Sequence, residues 1–438
     1  MRFLYNILFP IFFVVSAPFY FLKMWRRGNW QTGFAQRFGN YDETLRPTSG
    51  KPLIWFHAVS VGEVGICAPL LRELSPKLPG YEFVVSTTTS TGMGELKRLM
   101  PPEVRKIYYP TDFFFSVRKA LNFFHPSAFV LVEAELWPNF LWQTSDRHIP
   151  MFLINARLSD RSLRGYKRAE FIFRPIFSKF RAVGCQSEAD AVRLKELGFP
   201  LVKSVGNLKF DAAKPGRSKI DAAKLLEQIG VPSSAKILVA GSTHDGEEAV
   251  LADTFLELRK QFPDLFLVLV PRHFERTKQV CTDLQKRQLR FILRSEITAE
   301  TKKQNLDCLL VNTTGELKAF YEVATLVFVG KTLTAHGGQN PVEPAALGKA
   351  IITGPNMENF RSIMAAFRAN DAIVQVADAP AFTQMCAELL RDTAKCNELG
   401  KRALAVVEAN SGATARTVDL MTTMLSDLQF TTNPDTLV

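Results

Sequence analysis

The chain has 438 residues, 47% hydrophobic and 22% charged, with 54 Lys+Arg against 43 Asp+Glu for a net charge of +11. Such a length exceeds what one hydrophobic core ordinarily organises, so two globular domains are expected. The charge suits an anionic partner (nucleic acid, anionic lipid, or a phosphorylated or carboxylated small molecule), or else a basic surface that aids solubility. Six widely spaced cysteines without a Cys-x-x-Cys pair, and six scattered histidines without a His-x-x-x-His pair, speak against zinc and for reduced thiols in a cytosolic compartment.

The first segment, Phe3 to Leu22, carries no charge and is about long enough to span a bilayer core. Lys23, Arg26 and Arg27 follow it and Arg2 alone precedes it, which by the positive-inside bias leaves the body of the protein in the cytoplasm. Val15 to Ala17 resembles a signal-peptide cleavage site, but Pro18 obstructs it and the thiols argue against export. Pro10 and Pro18 also leave open a helix that lies in the interface instead of crossing. A retained membrane anchor over residues 1–24 is expected.

Beyond it, short apolar runs alternate with helical patterns. The runs are LIWFHA, FVVSTTT, KIYYP, AFVLVEAE, MFLINAR and AVGCQS in the first half, then KILVAGS, LFLVLVPR, RFILRS, CLLVNTT, LVFVGK and AIITGP. Continuous apolar strands alternating with helices mean parallel sheets covered on both faces. The alternation pauses at Phe210 to Pro232, which is charged and punctuated by Pro and Gly. The expected division is therefore residues 25–209, a linker at 210–232, a second domain at 233–410, and a closing helix and tail at 411–438.

In open α/β sheets, ligands bind beyond the C-terminal ends of the strands. Polar or Gly-rich loops stand there in both halves. Glu63 in SVGE and Glu133 in VEAELWPN sit at such turns; each is either a capping carboxylate or, held near a hydroxyl, a general base. Lys209 in GNLKFD is either a surface cation or a group that neutralises phosphate. GSTHDGEE is a plain turn or an anion nest, but neither a P-loop nor a G-x-G-x-x-G fingerprint. Pro271 and Arg272 end a strong strand, where a guanidinium pairs with phosphate or with a surface carboxylate. Thr314, Gly315 and Glu316 form another strand-to-helix turn. HGGQNPVE is either a well-capped structural helix or a phosphate site: Asn340 suits an N-cap, Pro341 the first helical position, the N–H groups there favour a phosphate, and Glu343, one turn in, suits ribose hydroxyls. The arginine-rich ARLSDRSLRGYKRAEF is a solvated helix face or a contact for anionic headgroups. Nucleic acid is disfavoured, since no DNA- or RNA-binding motif occurs.

Taken together, WFHAVSVGE, STTTSTG, EAELWPN, INARLSDRS, VGNLKFD, GSTHDGEE, VPRH, TTGEL and GGQNPVEPAALGKAIITGP closely resemble the 3-deoxy-D-manno-oct-2-ulosonic acid (Kdo) transferases of lipopolysaccharide synthesis, from the anchor to at least Glu358. The resemblance implies an α/β, GT-B fold: two Rossmann-like doubly wound domains facing a cleft, with an N-terminal anchor helix and a C-terminal segment that packs back on the first domain. It implies inverting, metal-independent transfer of Kdo from CMP-Kdo to the tetraacyldisaccharide bisphosphate precursor of lipid A. No cofactor is implied, CMP-Kdo being a co-substrate. It places the proton acceptor on Glu63 and transition-state support on Glu133 and Lys209. It places the CMP contacts on Pro271, Arg272, Thr314, Gly315, Glu316, Asn340, Pro341, Val342 and Glu343. Gln339 stands where many relatives have His before the Asn-Pro pair, with the cap and Glu343 retained. The inner membrane and its anionic lipids are the implied setting. The rival readings are a GT-B enzyme using a UDP-sugar and a non-enzymatic anion-binding protein.

Overall fold

The computed structural model describes residues 2–26, 31–133, 135–213 and 220–431. Arg27 of the positive cluster, residues 214–219 of the expected linker and the tail from 432 lie outside the described residues. The chain forms two compact units, residues 1–212 with 411–438, and residues 213–410.

The first unit is built on a seven-stranded parallel sheet, ordered β3-β2-β1-β4-β5-β6-β7. Its strands are β1 (Leu53–His57), β2 (Glu82–Thr87), β3 (Arg105–Tyr108), β4 (Ala128–Val132), β5 (Met151–Ala156), β6 (Phe180–Cys185) and β7 (Val202–Ser204). All of β1 is buried, because helices cover both faces of the sheet. Alternate side chains serve opposite layers. Ile54 and Phe56 join one core with Val64, Leu71, Met421 and Leu425. Leu53 and Trp55 join the other, where the indole meets Phe124 and Phe140 edge-on at 5.2 Å each. The last helix, Ala413–Thr431, packs on the helix Val61–Leu74. Its start is fixed by the Asp211 carboxylate, which accepts from the backbone N–H of Gly412 (2.7 Å) and Thr414 (2.6 Å).

The second unit repeats the plan in the order β10-β11-β9-β8-β12-β13-β14. The strands are β8 (Lys236–Thr243), β9 (Leu265–Pro271), β10 (Phe291–Leu293), β11 (Cys308–Leu310), β12 (Leu326–Val329), β13 (Ala350–Thr353) and β14 (Val374–Gln375). The twelve apolar runs of the sequence supply β1–β6 and β8–β13. The sequence reading missed β7 and β14, edge strands of three and two residues, too short to show a period. Within the stretch read as a connection, Ala222–Gln228 forms a helix capped by Asp221.

The N-terminal helix runs over Arg2–Arg26, and its Arg2–Phe19 portion, of mean hydropathy 1.5, is long and apolar enough to cross a membrane.

Candidate active site

In the first sheet the strand order reverses between β1 and β4, since β2 and β3 lie on one side and β5 to β7 on the other. Loops diverging from such a point leave a crevice at the C-terminal edge. Glu63 follows β1 and Glu133 follows β4, so the topology brings these two residues to one place.

Glu63 is the third residue of the helix Val61–Leu74, with Ser60 at the cap. Its carboxylate accepts from the Val59 N–H (2.7 Å) and the Ser60 hydroxyl (3.0 Å). Neither bond caps a helix N–H; they brace the turn before the helix and hold the side chain in one orientation. Those donors do not set its acidity. Burial pushes the carboxyl up to about 7, with the charge of Glu133 next in weight and Glu135 adding in the same sense. The supporting loop is tied from β2: the hydroxyls of Thr87 (2.9 Å) and Thr88 (3.2 Å) both donate to the Val59 carbonyl. Thr89 caps the following helix by accepting from Gly92 N–H (2.9 Å), which accounts for the STTTSTG stretch. His57, at the end of β1, is a core residue. It is fully buried, stacks on Tyr109 at 3.7 Å, and burial pushes it down to about 3.

Glu133 has φ +59°, a left-handed conformation that is costly for a side-chain-bearing residue and recurs at functional sites. Its Oε1 lies 2.8 Å from the Lys209 ammonium, with both side chains 15% exposed, and it accepts from Asn155 Nδ2 at 3.3 Å. Arg157 approaches the other oxygen at 3.9 Å. Asn155, at the end of β5 and also left-handed (φ +52°), accepts the Leu208 N–H through Oδ1 at 3.0 Å. Gln186 donates to the Asn155 carbonyl (3.0 Å) and accepts from Asn207 (2.9 Å). Lys209 is thus aimed by a buried polar chain along the ends of β5, β6 and β7. The sequence reading did not single out Asn155, Gln186, Asn207 or Glu135. All four lie inside quoted stretches, and a polar residue at the end of an apolar strand was the available signal.

In the second unit, Pro271 ends β9 and Arg272 follows it, Thr314 to Glu316 follow β11, and Asn340 to Glu343 lie in the long loop after β12. β9 and β12 flank β8, and β11 lies next to β9, all with their C-terminal ends on one sheet edge. Arg272 is exposed, and among the described residues its side chain makes no hydrogen bond or ion pair. Glu316 is held by Arg294 (3.0 Å) and by the Thr313 hydroxyl (2.6 Å), and Gly315 has φ +81°. The helix expected to begin at Asn340 is a single turn, Val342–Ala345, and Pro341 precedes it instead of opening it. Asn340 still caps by accepting the Val342 N–H (3.1 Å), and it lies 3.4 Å from Glu343. Glu343 is close enough to Tyr321 and Lys318 to act on both electrostatically.

GSTHDGEE is no open anion nest. Glu247, wholly buried, accepts the backbone N–H groups of His244 (2.8 Å) and Lys331 (2.7 Å) on one oxygen, and of Thr332 (2.7 Å) and Leu333 (3.0 Å) on the other. Glu248 pairs with Arg276 (2.7 and 3.0 Å) and accepts from Thr243 (2.7 Å). The protein's own carboxylates fill this turn and lock the loops after β8 and β12 together.

A sequence profile described as 3-deoxy-D-manno-octulosonic-acid transferase (kdotransferase) matches residues 32–212. A 3-deoxy-D-manno-octulosonic acid transferase from Haemophilus influenzae is 33% identical over 96% of this chain and 98% of its own length. One from Bordetella pertussis is 30% identical over 92% and 96%. Among solved structures, a UDP-GlcNAc 2-epimerase from Neisseria meningitidis shares the fold at TM-score 0.58 and 15% identity, covering 85% of this chain and 99% of that one. Two doubly wound parallel sheets are the GT-B fold, and by sequence over nearly its whole length the chain belongs to the 3-deoxy-D-manno-octulosonic acid transferase family of glycosyltransferases.

Proposed function

We propose that the protein transfers Kdo from CMP-Kdo to a sugar hydroxyl of the lipid A precursor at a membrane surface, with Glu63 as the base. The observation that carries this reading is the Glu63 carboxyl, poised near 7 at the β1/β4 crevice beside the Glu133–Lys209 pair. A base of that strength takes a hydroxyl proton at neutral pH better than an ordinary carboxylate does. As the acceptor oxygen bonds to the anomeric carbon, its proton passes to Glu63. The bond from that carbon to the CMP phosphate oxygen breaks, and the electron pair leaves with CMP, inverting the centre. Lys209, 2.8 Å from Glu133, sets a cation beside that carboxylate at the reacting hydroxyl. The exposed Arg272 guanidinium supplies positive charge for the departing phosphate. No cofactor or metal takes part in this scheme.

The test is Glu63→Gln with CMP-Kdo and a lipid A precursor. Donor binding should persist while transfer falls by 100-fold or more, the scale of general-base catalysis. Transfer at the normal rate would remove Glu63 from the role. CMP should compete with the donor and UDP should not. Competition by UDP instead would place the donor in another nucleotide class.

A further inference from the structure

The N-terminal helix passes the length and composition test for a transmembrane span, yet its contacts are those of a helix lying along the protein. Its half-buried positions are Tyr5, Asn6, Phe9, Pro10, Phe13, Ser16 and Ala17, one face at helical spacing. That face is tied to the first unit by polar bonds as well as rings. The Tyr5 hydroxyl donates to the buried Asp112 carboxylate at 2.8 Å, and Asp112 also accepts the N–H groups of Asn139 and Phe140 at 2.9 Å each. Asn6 and Asn139 exchange amide hydrogen bonds of 3.2 and 2.9 Å, and Arg2 pairs with Asp146 at 2.6 Å. Phe9 and Phe13 meet Phe113 edge-on at 5.3 and 4.9 Å.

Length then decides between the two arrangements. A bilayer core about 30 Å thick needs about 20 helical residues. Residues 5–17 are committed to the protein, and the nine from 18 to 26 cover about 14 Å. Crossing would require Tyr5 and Asn6 to leave their partners for hydrocarbon and would strip a buried carboxylate of a donor.

The opposite face is apolar and exposed through Phe3, Leu8, Ile11, Phe12, Val15 and Phe19. Phe114 and Phe115 extend it beside Phe113, with the exposed Arg118 one turn on, which makes no ion pair among the described residues. Near the helix start, Phe171 shares with Arg2 and Lys179 a cavity of about 290 Å³. Immediately before Phe171, Arg161, Arg164 and Arg168 stand exposed with no ion pair among the described residues. An apolar ridge flanked by uncompensated arginines is complementary to a bilayer surface with anionic headgroups.

We propose that the protein is monotopic: its N-terminal helix lies in the plane of an anionic membrane surface, pinned by Tyr5–Asp112 and Asn6–Asn139, and does not cross.

The experiment uses the full chain with Cys281, the one cysteine not fully buried, changed to serine. Single cysteines replace Phe3, Leu8, Phe12, Val15 and Phe19 on the outer face, where folding is not at stake. Each carries a fluorophore, and its depth is read by lipids brominated at known positions in phosphatidylglycerol/phosphatidylcholine vesicles. All five labels should lie at one shallow depth, about 5–10 Å below the headgroups. A depth that changes by about 1.5 Å per residue toward the bilayer centre would overturn the proposal. In inside-out membrane vesicles an impermeant thiol reagent should reach Phe3→Cys from the side bearing the protein body. Labelling only from the opposite side would equally overturn it. Binding should weaken tenfold or more on phosphatidylcholine alone, and equal binding would overturn the anionic part.

Discussion

Lys209 Nζ stands 2.8 Å from Glu133 Oε1, although the two residues are far apart in the chain. The pair exists because β4 and β5 are neighbours whose ends, at Glu133 and Asn155, both turn left-handed. It puts a carboxylate into the field of Glu63 while holding a cation to balance it.

The first prediction concerns pH. Transfer needs Glu63 ionised, so kcat should rise with pH through a midpoint near 7. Glu133→Gln removes a charge that raises this value, so the midpoint should move down. A pH–rate profile of both proteins reads this directly. An unmoved midpoint would show that Glu133 lies outside the field of Glu63.

Stability should carry the same signature with a definite sign. Folding lifts the Glu63 carboxyl from 4.5 to about 7, so the native state holds more protons between those values and stability falls as pH rises through that window. Glu63→Gln removes the cost of the buried charge. The variant should be more stable by on the order of 2–3 kcal/mol at pH 8, with the advantage gone at pH 4. Denaturant titrations at the two pH values test this.

Glu247→Ala should destabilise the second unit by about 3 kcal/mol or more. It strands four backbone donors from two loops, and each unsatisfied buried group costs about 1–3 kcal/mol. Glu247→Gln, which keeps one acceptor, should fall between. Urea midpoints with unchanged slope would confirm a native-state effect.

Arg272→Ala, by contrast, should leave the melting temperature unmoved, because the side chain supports nothing in the fold. It should raise KM for CMP-Kdo about 10- to 100-fold, the size of a lost charge-assisted hydrogen bond. Steady-state kinetics at fixed ionic strength separates the two effects.

Gly92→Ala tests the support beneath Glu63. An added methyl would stand 2.4 Å from the Thr87 hydroxyl and 2.8 Å from that of Thr89. Displacing Thr87 frees the Val59 carbonyl, and with it the loop whose N–H orients Glu63. Transfer should drop roughly tenfold, more than the loss of stability alone explains, as small misplacements of a catalytic group do.

Apolar runs such as LIWFHA and LFLVLVPR can be satisfied only between two helical layers. They therefore determined the parallel sheets, and the polar residues that end them determined which edge carries the chemistry. Edge strands of two or three residues left no such trace. The sequence alone could not distinguish Glu63, which braces the turn before its helix and is also lifted toward neutrality, from Glu247, which only locks two loops. Both are glutamates early in a helix after a strand, and what separates them is how many amides from distant segments converge on each. The same holds for the N-terminal helix. Its composition permits a crossing, and only the partners that Tyr5 and Asn6 find more than a hundred residues away decide where it lies. Composition sets what a segment can be buried in, whereas burial itself and the field at a carboxylate are properties of the neighbours that folding supplies.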